Sequence, residues 1–381
     1  MHMKILQTIA GFGVKWGGTS TSTYDLVTAL NAVDCPTDVL TLMPTDPSDH
    51  LIGDDESWIK ALSPDGKTPF GYSRNILNYL NQTDYDLYHT NGVWMYCNHA
   101  TASVARKKGK PYVITPHGML YPQALARSAW KKKLMMHLCF DKDIREASCI
   151  HTTCLQEMEF YRNLGYKNPV AVIANPVPIP EFINDIKENH SQKRIGFLGR
   201  IHPYKNVKAL IDAWASLGNQ TQGAELYIMG KGDEAYEKLL KEEVQRLKLN
   251  NVIFAGFVSG RDKFEKLATL TALFVPSITE NFGMTIAEAL LMKVPVMASL
   301  GTPWKELNTY HCGWWVSNEV PSLAKTLLQA ISLTDKERED MGIRGRQLVE
   351  SNYSSEQVAR KMKLLYEWLL GIKDKPDFIY E

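Results

Sequence analysis

The most informative chemistry in the chain lies in residues 277–290, where two carboxylates flank a glycine. Glu280 precedes Gly283 in a predicted loop, and Glu288 follows it inside an apolar-periodic segment that predicts a helix. Gly283 lets the backbone approach a ligand closely, and the free amides of a helix N-terminus bind phosphate well. The segment therefore predicts a site whose amides bind phosphate and whose carboxylates bind hydroxyl groups, as a nucleotide-sugar requires.

A second set of suitable groups lies in residues 196–206, between a predicted strand and a predicted helix. Arg200 offers a planar fork to two oxygens and Lys205 offers a point charge. Cations held in place stabilise the negative charge that grows on a departing nucleoside diphosphate. We therefore expect these two side chains to bind the diphosphate of the same ligand.

Together these segments resemble the donor site of the retaining glycosyltransferases with the GT-B fold, in particular the large GT4 family of group 1 glycosyl transferases. The resemblance covers essentially the whole chain and is strongest over residues 194–302. It implies that Glu288 binds ribose hydroxyls and that Glu280 is a catalytic residue that holds the donor sugar. The donor-binding residues that it implies are Gly17, Gly18, Arg200, Lys205, Phe257, Val258, Asn281, Phe282, Gly283, Met284, Thr285 and Glu288.

The resemblance also assigns residues in the first half of the chain. Gly17 and Gly18 match the glycine loop that faces the donor phosphate in this family, although a simple tight turn explains them equally well. His117 matches the cleft histidine that contacts the donor sugar, and it is the second expected catalytic residue. His89 and Asn91 end a predicted strand, and we expect them on the acceptor side.

The elements that must position these residues alternate between strand and helix, which is typical of parallel α/β sheets. The first half predicts strands at 4–10, 38–42, 87–90, 112–115, 149–153 and 170–173, and helices at 19–30, 74–80 and 130–144. The second half predicts strands at 194–199, 225–229, 252–255, 273–275 and 294–298, and a helix at 207–217.

We interpret this order as an α/β, GT-B architecture of two Rossmann-like domains that face each other across a cleft. The predicted acceptor-side domain is 1–178, the predicted donor domain is 190–354, and the proline-rich segment 175–180 connects them. Residues 355–370 have apolar side chains at helical spacing. The resemblance implies that this C-terminal helix, within 355–381, crosses back to the first domain.

Composition narrows the function classes. The chain has 381 residues, 44% of them hydrophobic and 22% charged, which is a normal balance for a globular protein of two domains. A net charge of +1 gives no general field for nucleic acid, so no nucleic-acid partner is expected. The six cysteines are scattered as in a reducing compartment, and no apolar run reaches membrane-spanning length. We expect a cytoplasmic protein, with the inner face of the membrane as an alternative location.

No cluster of histidine and cysteine has metal-binding spacing. Because Arg200, Lys205 and the helix amides already supply positive charge, we expect neither a required metal nor another cofactor. The predicted reaction moves a sugar from a UDP-sugar or GDP-mannose to a hydroxyl of a glycan or lipid-linked glycan, with retention at the anomeric carbon. A nucleotide-sugar hydrolase or epimerase, an inactive nucleotide-sugar-binding protein and a dinucleotide oxidoreductase are weaker alternatives.

One segment has two interpretations at this stage. Residues 128–140 combine three lysines with an apolar helical face. Several relatives touch a bilayer with such a basic amphipathic helix, so the resemblance raises a peripheral membrane contact. A buried helix with a solvated lysine end is the interpretation that the sequence alone favours.

Overall fold

A computed structural model describes residues 3–66, 69–189 and 191–381. The chain divides into two compact units. The first comprises Met1–Pro176 together with Ser355–Glu381, and the second comprises Val177–Ser354. Residue 190, at which the sequence places the start of the donor domain, lies outside the described residues.

The strands follow the predicted alternation with helices along the whole chain. In chain order they are β1 (Ile5–Ile9), β2 (Thr37–Leu42), β3 (Ile59–Leu62), β4 (Leu87–Asn91), β5 (Tyr112–Thr115), β6 (Cys149–Thr152), β7 (Val170–Val172), β8 (Lys193–Leu198), β9 (Ala224–Met229), β10 (Val252–Gly256), β11 (Ala272–Val275), β12 (Val296–Ser299), β13 (Gly313–Val316) and β14 (Ile379–Tyr380).

The helices that connect these strands are mostly short. In chain order they are α1 (Gly18–Ala32), α2 (Arg74–Gln82), α3 (Tyr96–Lys107), α4 (Pro122–Ala126), α5 (Ala129–Met135), α6 (Asp141–Arg145), α7 (Leu155–Asn163), α8 (Val207–Ser216), α9 (Glu234–Arg246), α10 (Gly260–Leu267), α11 (Met284–Leu291), α12 (Glu306–Thr309), α13 (Val320–Ile331), α14 (Asp335–Asn352) and α15 (Ser355–Leu369). A π-helical turn, Met136–Phe140, joins α5 to α6.

Each unit is built on one sheet, and both sheets have the strand order of a doubly wound fold. The first sheet has the order β3-β2-β1-β4-β5-β6-β7-β14, in which only β14 is antiparallel to its neighbour. The second sheet has the order β10-β9-β8-β11-β12-β13, and all of its strands are parallel. The predicted α/β fold with two Rossmann-like sheets is therefore confirmed.

Buried apolar side chains explain why these strands form. All five residues of β1 are buried, as expected for a strand of a parallel sheet that helices cover on both faces. In the second unit, Phe197 of β8, Trp214 of α8 and Phe274 of β11 are fully buried in one core. The Trp214 Nε1 donates a hydrogen bond of 3.1 Å to Asn251 Oδ1, so its polar edge is satisfied inside that core.

The C-terminal helix returns to the first unit, as predicted. The apolar face of α15, with Val358, Met362 and Leu365, is buried in the core that contains Leu26 and Leu30 of α1. Beyond this face, the chain ends in the strand β14 beside β7. The returning segment is therefore part of the first hydrophobic core.

The structure differs from the prediction at the sheet edges and in one helix. The edge strands β3, β13 and β14 were not predicted, because they are short or only half-buried. The single helix predicted at 130–144 is interrupted by the π-helical turn. The favoured interpretation of this segment as a buried helix is correct for Phe140, which is buried, and for Met135 and Met136, which pack against the core. It is wrong for Trp130, Leu134 and Leu138, which are exposed.

Candidate functional site

A cavity of about 730 Å³ lies in the second unit, at the carboxyl ends of β8, β9 and β10 and beside the first turns of α11. The strand order reverses next to β8, between β8 and β11, and ligands of doubly wound sheets bind outside the carboxyl ends at such a switch point. The cavity is lined by Leu198, Gly199, Arg200, Ile201, His202, Gly230, Lys231, Gly232, Asp233, Phe257, Val258, Lys263, Met284, Thr285 and Glu288.

Glycines allow two loops to meet at the cavity wall. A β-carbon on Gly230 would lie 1.9 Å from the carbonyl oxygen of Gly199, and one on Gly232 would lie 1.8 Å from that of Ile201. No side chain tolerates such contacts, so only glycine permits this approach. The amide of Ile201 donates a hydrogen bond of 3.1 Å to the carbonyl of Lys231, which fixes the two loops together. The loop that carries Arg200 therefore has a rigid support.

Helix α11 begins at the cavity with a left-handed glycine. Gly283 has φ 87° and makes no side-chain cap, so the amides of the first turn, at Met284 and Thr285, have no side-chain partner. The preceding residue, Phe282, is only 5% exposed, and its carbonyl accepts a hydrogen bond of 2.5 Å from Trp304 Nε1. Phe282 can therefore contact a ligand only through its backbone, because its side chain is buried in the core.

Both carboxylates of the predicted site are paired with lysines. The Lys263 Nζ lies 2.6 Å from Glu288 Oε1. The Glu280 Oε1 accepts hydrogen bonds from Lys205 Nζ and, at 2.7 Å, from Ser277 Oγ. These contacts hold each carboxylate in place, and each pair supplies one acceptor and one donor group for a polar ligand.

Arg200 and Phe257 project from the cavity wall without protein partners that would occupy their binding faces. Arg200 is exposed and has no carboxylate within ion-pair distance among the described residues. Phe257 is 72% exposed, although its neighbour Val258 is only 7% exposed. An exposed aromatic ring beside an unpaired guanidinium can stack on a planar base while the cation binds phosphate.

The predicted residues of the first unit lie on two loops that follow strands. Gly17 has φ 82° and caps α1, and Gly18 begins that helix. His117 adopts a left-handed conformation with φ 51°, and its Nε2 lies 2.9 Å from Asn91 Oδ1. The amide of the next residue, Gly118, donates to the buried carboxylate of Glu157, which clamps the turn that carries the imidazole.

The expectation that His89 lies on the acceptor side is wrong. The His89 ring is fully buried, its Nδ1 lies 2.6 Å from Tyr366 Oη, and its Nε2 lies 2.6 Å from Thr115 Oγ1. Asn91 is also buried, with its side-chain amide donating to Gln7. Both polar side chains face the interior because each lies within a strand whose two faces are covered.

We expect the free energy of unfolding to fall as the pH is lowered below about 6.5, where an unfolded histidine takes up a proton. Burial lowers the pKa of His151 to about 4, and burial followed by the charges of His151 and His117 lowers the pKa of His89 well below its usual value. Both rings stay neutral in the folded chain. Between about pH 6.5 and the lowered pKa of its ring, each histidine should therefore reduce the free energy of unfolding by about 1.4 kcal/mol per pH unit. Urea unfolding at several pH values from 7.5 to 4.5 measures the slope.

Two variants separate these histidines from other acid effects. His151→Gln should reduce the slope by about 1.4 kcal/mol per pH unit, whereas His50→Gln, at an exposed position, should leave it unchanged. An unaltered slope in His151→Gln would contradict the assignment.

The structure brings together many, though not all, of the predicted positions. Arg200, Phe257, Val258, Met284, Thr285 and Glu288 line the cavity itself. Lys205, Glu280, Asn281, Phe282 and Gly283 belong to the same unit but do not line it, and Gly17, Gly18 and His117 belong to the other unit. Sequence reasoning missed Lys263, His202 and Asp233, and a lysine four residues into a polar helix carries no signal of its role.

The described residues contain neither a candidate metal site nor a helix that could span a membrane. Across residues 3–66, 69–189 and 191–381, no group of three or more histidine, cysteine, aspartate or glutamate side chains is arranged to hold a metal ion. Over the same part of the chain, no helix combines the length and the apolar character that a membrane span requires.

Sequence comparison finds two matching family profiles, one for each half of the chain. The profile described as "Glycosyl transferase 4-like domain" matches residues 17–176, and that described as "Glycosyl transferases group 1" matches residues 178–348. An "Uncharacterized 41.2 kDa protein in cps region" of Klebsiella pneumoniae is 26% identical over 203 residues. That match spans 51% of this chain and 53% of the Klebsiella protein, so the chain aligns with about half of that relative.

Solved structures share the fold over nearly the full chain. Sucrose-phosphate synthase from Thermosynechococcus elongatus has a TM-score of 0.74 at 19% identity, covering 97% of this chain and 100% of that one. Anabaena HepE, solved in complex with UDP-glucose, has a TM-score of 0.70 at 19% identity, covering 95% of this chain and 98% of that one. At such identities the similarity establishes the architecture of two Rossmann-like domains alone.

Proposed function

Because this chain belongs to the group 1 glycosyltransferases with a GT-B fold, we propose that it transfers a sugar from a nucleotide-sugar to a hydroxyl acceptor with retention at the anomeric carbon. The observation that carries the proposal is the switch-point cavity, where an unpaired arginine, an exposed aromatic ring, a free helix N-terminus and a carboxylate line one space. Each group matches one part of a nucleotide-sugar.

The phosphates would lie between Arg200 and the amides at Met284 and Thr285. A diphosphate gains negative charge as its bond to the sugar breaks, and fixed donors that already point at it lower the barrier without reorganising. Glu288 would accept hydrogen bonds from the ribose hydroxyls, with Lys263 exchanging its present contact. Glu280, held by Lys205 and Ser277, would bind hydroxyls of the sugar and stabilise the positive charge at its anomeric carbon.

We assign uridine diphosphate as the preferred nucleotide, with GDP-mannose as the alternative. The complex of HepE with UDP-glucose supports this choice, since HepE shares the fold along the whole chain. Phe257 and Val258 offer a flat apolar surface that accepts either base. The acceptor in this proposal is a glycan or lipid-linked glycan of surface polysaccharide or glycoconjugate synthesis, and the match to a Klebsiella protein of a cps region supports that setting.

A thermal-shift screen followed by a transfer assay tests the donor. A ligand that binds only the folded state raises the unfolding temperature, so UDP and UDP-glucose should stabilise the full chain more than GDP, GDP-mannose and ADP do. Release of UDP in the presence of short glycans, with none in their absence, would support transfer over hydrolysis. Stabilisation by none of these nucleotides would contradict the proposal.

Retention is tested on the product. Proton NMR of the product formed from an α-linked donor should show an α-anomer, because in a same-face substitution the acceptor oxygen bonds to the face of the sugar from which the diphosphate departs. A β-linked product would show inversion and would contradict this part of the proposal.

We expect transfer to persist in excess EDTA. Arg200 and the first amides of α11 line the cavity, and together with Lys205 they would supply the positive charge that a metal ion would otherwise bring to the diphosphate. Initial rates measured with EDTA, and again after addition of manganese or magnesium, should agree within about twofold. Complete loss on chelation with recovery on metal addition would show that these cations do not suffice.

We also propose that the segment 128–140 contacts an anionic membrane surface. Trp130, Leu134 and Leu138 are 69%, 49% and 65% exposed, and their spacing places them on one face. Exposed Lys131 and Lys133 flank this apolar face, and the sequence from 119 to 140 contains no acidic side chain. Apolar side chains that insert at the headgroup level, beside cations worth about 1 kcal/mol each near anionic lipid, favour such a surface as the occupant.

Liposome co-sedimentation tests this contact. The full chain should sediment with vesicles of phosphatidylcholine and phosphatidylglycerol but not with phosphatidylcholine alone, and Trp130→Ser with Leu138→Ser should reduce sedimentation at least fivefold. Leu239→Ser, on the acidic helix α9 at 47% exposure, is the matched control and should change nothing. Equal sedimentation of all variants, or loss of a dimer in Trp130→Ser by light scattering, would assign the face to something other than lipid.

A further inference from the structure

A chain of hydrogen bonds crosses the carboxyl ends of the first sheet, and His117 lies at one end of it. The distances between successive partners are 2.9 Å for His117 Nε2–Asn91 Oδ1, 2.9 Å for Asn91 Nδ2–Gln7 Oε1, 3.1 Å for Gln7 Nε2–Tyr366 Oη, 2.6 Å for Tyr366 Oη–His89 Nδ1, 2.6 Å for His89 Nε2–Thr115 Oγ1, 2.7 Å for Thr115 Oγ1–His151 Nδ1 and 2.8 Å for His151 Nε2–Ile173 O. All of these side chains except His117 are buried.

The backbone carbonyl at the far end fixes the direction of the donors. A carbonyl only accepts, so His151 must carry its proton on Nε2, and Nδ1 of that neutral ring can only accept. The hydroxyl of Thr115 therefore donates to His151 Nδ1. The oxygen of Thr115 is then left to accept, so His89 must donate from its Nε2.

The directions of the remaining hydrogen bonds, from His89 to His117, follow in the same way. Since His89 Nδ1 accepts, the hydroxyl of Tyr366 donates to it, and the Tyr366 oxygen accepts from the side-chain amide of Gln7. The carbonyl of Gln7 accepts from the amide of Asn91, which directs the Asn91 carbonyl at His117. The Nε2 of His117 must then carry the proton.

The other nitrogen of the His117 ring, Nδ1, has no hydrogen-bond partner in the described part of the chain. Partial burial, followed by the charge of His151, lowers the pKa of His117 to about 3, so the ring is neutral near pH 7 and Nδ1 presents a lone pair. The Glu157 clamp on the neighbouring amide holds the ring's backbone. The imidazole is thus oriented at its ring and at its main chain.

We propose that this series of hydrogen bonds sets the tautomer of His117, so that Nδ1 is left to accept a hydrogen bond from a hydroxyl group of a bound sugar. Thr115 and Tyr366 are positioning residues in this proposal, because they act on the sugar only through the ring of His117. The proposal rests on the proposed function for the identity of the hydroxyl, but the tautomer itself does not depend on any activity.

Removing one hydroxyl from this series of hydrogen bonds allows the donors and acceptors to point in the opposite direction. Without the hydroxyl of Thr115, His89 can carry its proton on Nδ1 and donate to Tyr366, and the amides of Gln7 and Asn91 can both reverse. Asn91 would then donate to His117 Nε2, and the proton of His117 would move to Nδ1, where it blocks the acceptor. The two directions differ by hydrogen bonds of similar kind, so a mixture of tautomers is expected.

Ring nitrogen-15 NMR of histidine-labelled full chain reads the tautomer directly. Among the 10 histidines, the signals lost in His117→Gln identify His117. The native chain should show one tautomer with the proton on Nε2, and Thr115→Ser, which keeps the hydroxyl, should show the same. Thr115→Val and Tyr366→Phe should each show a mixture or the reversed tautomer. Tyr161→Phe removes another buried tyrosine hydroxyl, bonded to Asn168, and is the matched control.

Transfer with UDP-glucose, or with the sugar nucleotide that replaces it in the thermal-shift screen, gives the second measurement. Because only one tautomer is competent, the rate at saturating donor should fall about two- to tenfold in Thr115→Val and Tyr366→Phe, with UDP affinity unchanged. Thr115→Ser and Tyr161→Phe should retain the native rate.

The outcomes separate this proposal from the proposed function. A proton on Nδ1 of His117 in the native chain, or a single Nε2 tautomer in both Thr115→Val and Tyr366→Phe, would overturn the tautomer assignment whatever the activity. Native tautomers with no transfer from any nucleotide-sugar would instead overturn the proposed function. Thermal unfolding by circular dichroism confirms that each compared variant is folded, and Thr115→Val decides if Tyr366→Phe is not.

Discussion

Replacing Glu280 with glutamine should reduce transfer by about a hundredfold to a thousandfold, the range seen when one preorganised group for transition-state charge is lost. The Glu280 carboxylate accepts from Lys205 and Ser277, so the amide keeps the shape but loses the negative charge and presents a donor to one of these partners. The loss should fall on the rate at saturating donor, because the charge that Glu280 stabilises develops only as the glycosidic bond breaks. Steady-state rates of UDP release with acceptor present measure the effect.

Glu225→Gln is the matched control for this change. Glu225 belongs to the same unit and is paired with Arg194 at 2.8 Å, but it lies at the amino end of β9, whereas the candidate site lies at the carboxyl ends of the strands. It should lower stability modestly and leave the rate at saturation within about twofold, since one partly exposed pair contributes about 1 kcal/mol or less. A folded Glu280→Gln chain with the native rate would remove Glu280 from the catalytic residues.

Replacing Arg200 with alanine should reduce transfer by about tenfold to a thousandfold. Arg200 lines the cavity, and no carboxylate among the described residues neutralises it, so its whole charge is available to the diphosphate. Because the diphosphate is already charged in the bound donor, part of the loss should appear as weaker UDP binding. Calorimetry with UDP and initial rates with the donor measure the two parts.

Arg200→Lys and Arg246→Ala complete this test. Lysine keeps the charge but not the planar fork, so it should recover only part of the rate. Arg246 is exposed on α9 and paired with Glu243, outside the cavity, and its removal should change neither quantity. Native UDP affinity and native rate in Arg200→Ala would mean that the diphosphate is held elsewhere.

The central strands of both sheets could be predicted because a parallel sheet buries both faces of each strand. β11 is a continuous apolar run, and β1 and β4 each begin with two apolar residues; loops of glycine or polar residues follow these strands, which is a local signal. The edge strand β3 is half-buried, and the two residues of β14 form a strand only because β7 lies beside them. Strand pairing of this kind depends on tertiary contacts, which a local sequence pattern does not contain.

The residues of the candidate site also divide into those that a local sequence pattern indicates and those that it does not. Gly283, Arg200 and Glu288 follow strand ends or begin a helix, so their spacing along the chain already indicates their position. The contact of Lys263 with Glu288 joins helices α10 and α11, and no local sequence pattern predicts such a pairing. His89 was misplaced because a histidine at a strand end has the same sequence signature whether it faces a ligand or the hydrogen bonds of the interior.

The two lysine–carboxylate pairs of the candidate site also bear on which molecules the site rejects. Lys205 and Lys263 are each paired with a carboxylate. A free phosphate ion offers these lysines a new partner but leaves Glu280 and Glu288 without one, and a nucleoside offers hydroxyls but no anion. A molecule that carries hydroxyls and phosphates together satisfies all four groups at once. The intact donor should therefore bind more tightly than the sum of its fragments predicts, which protects the site from the phosphate and nucleosides that surround it.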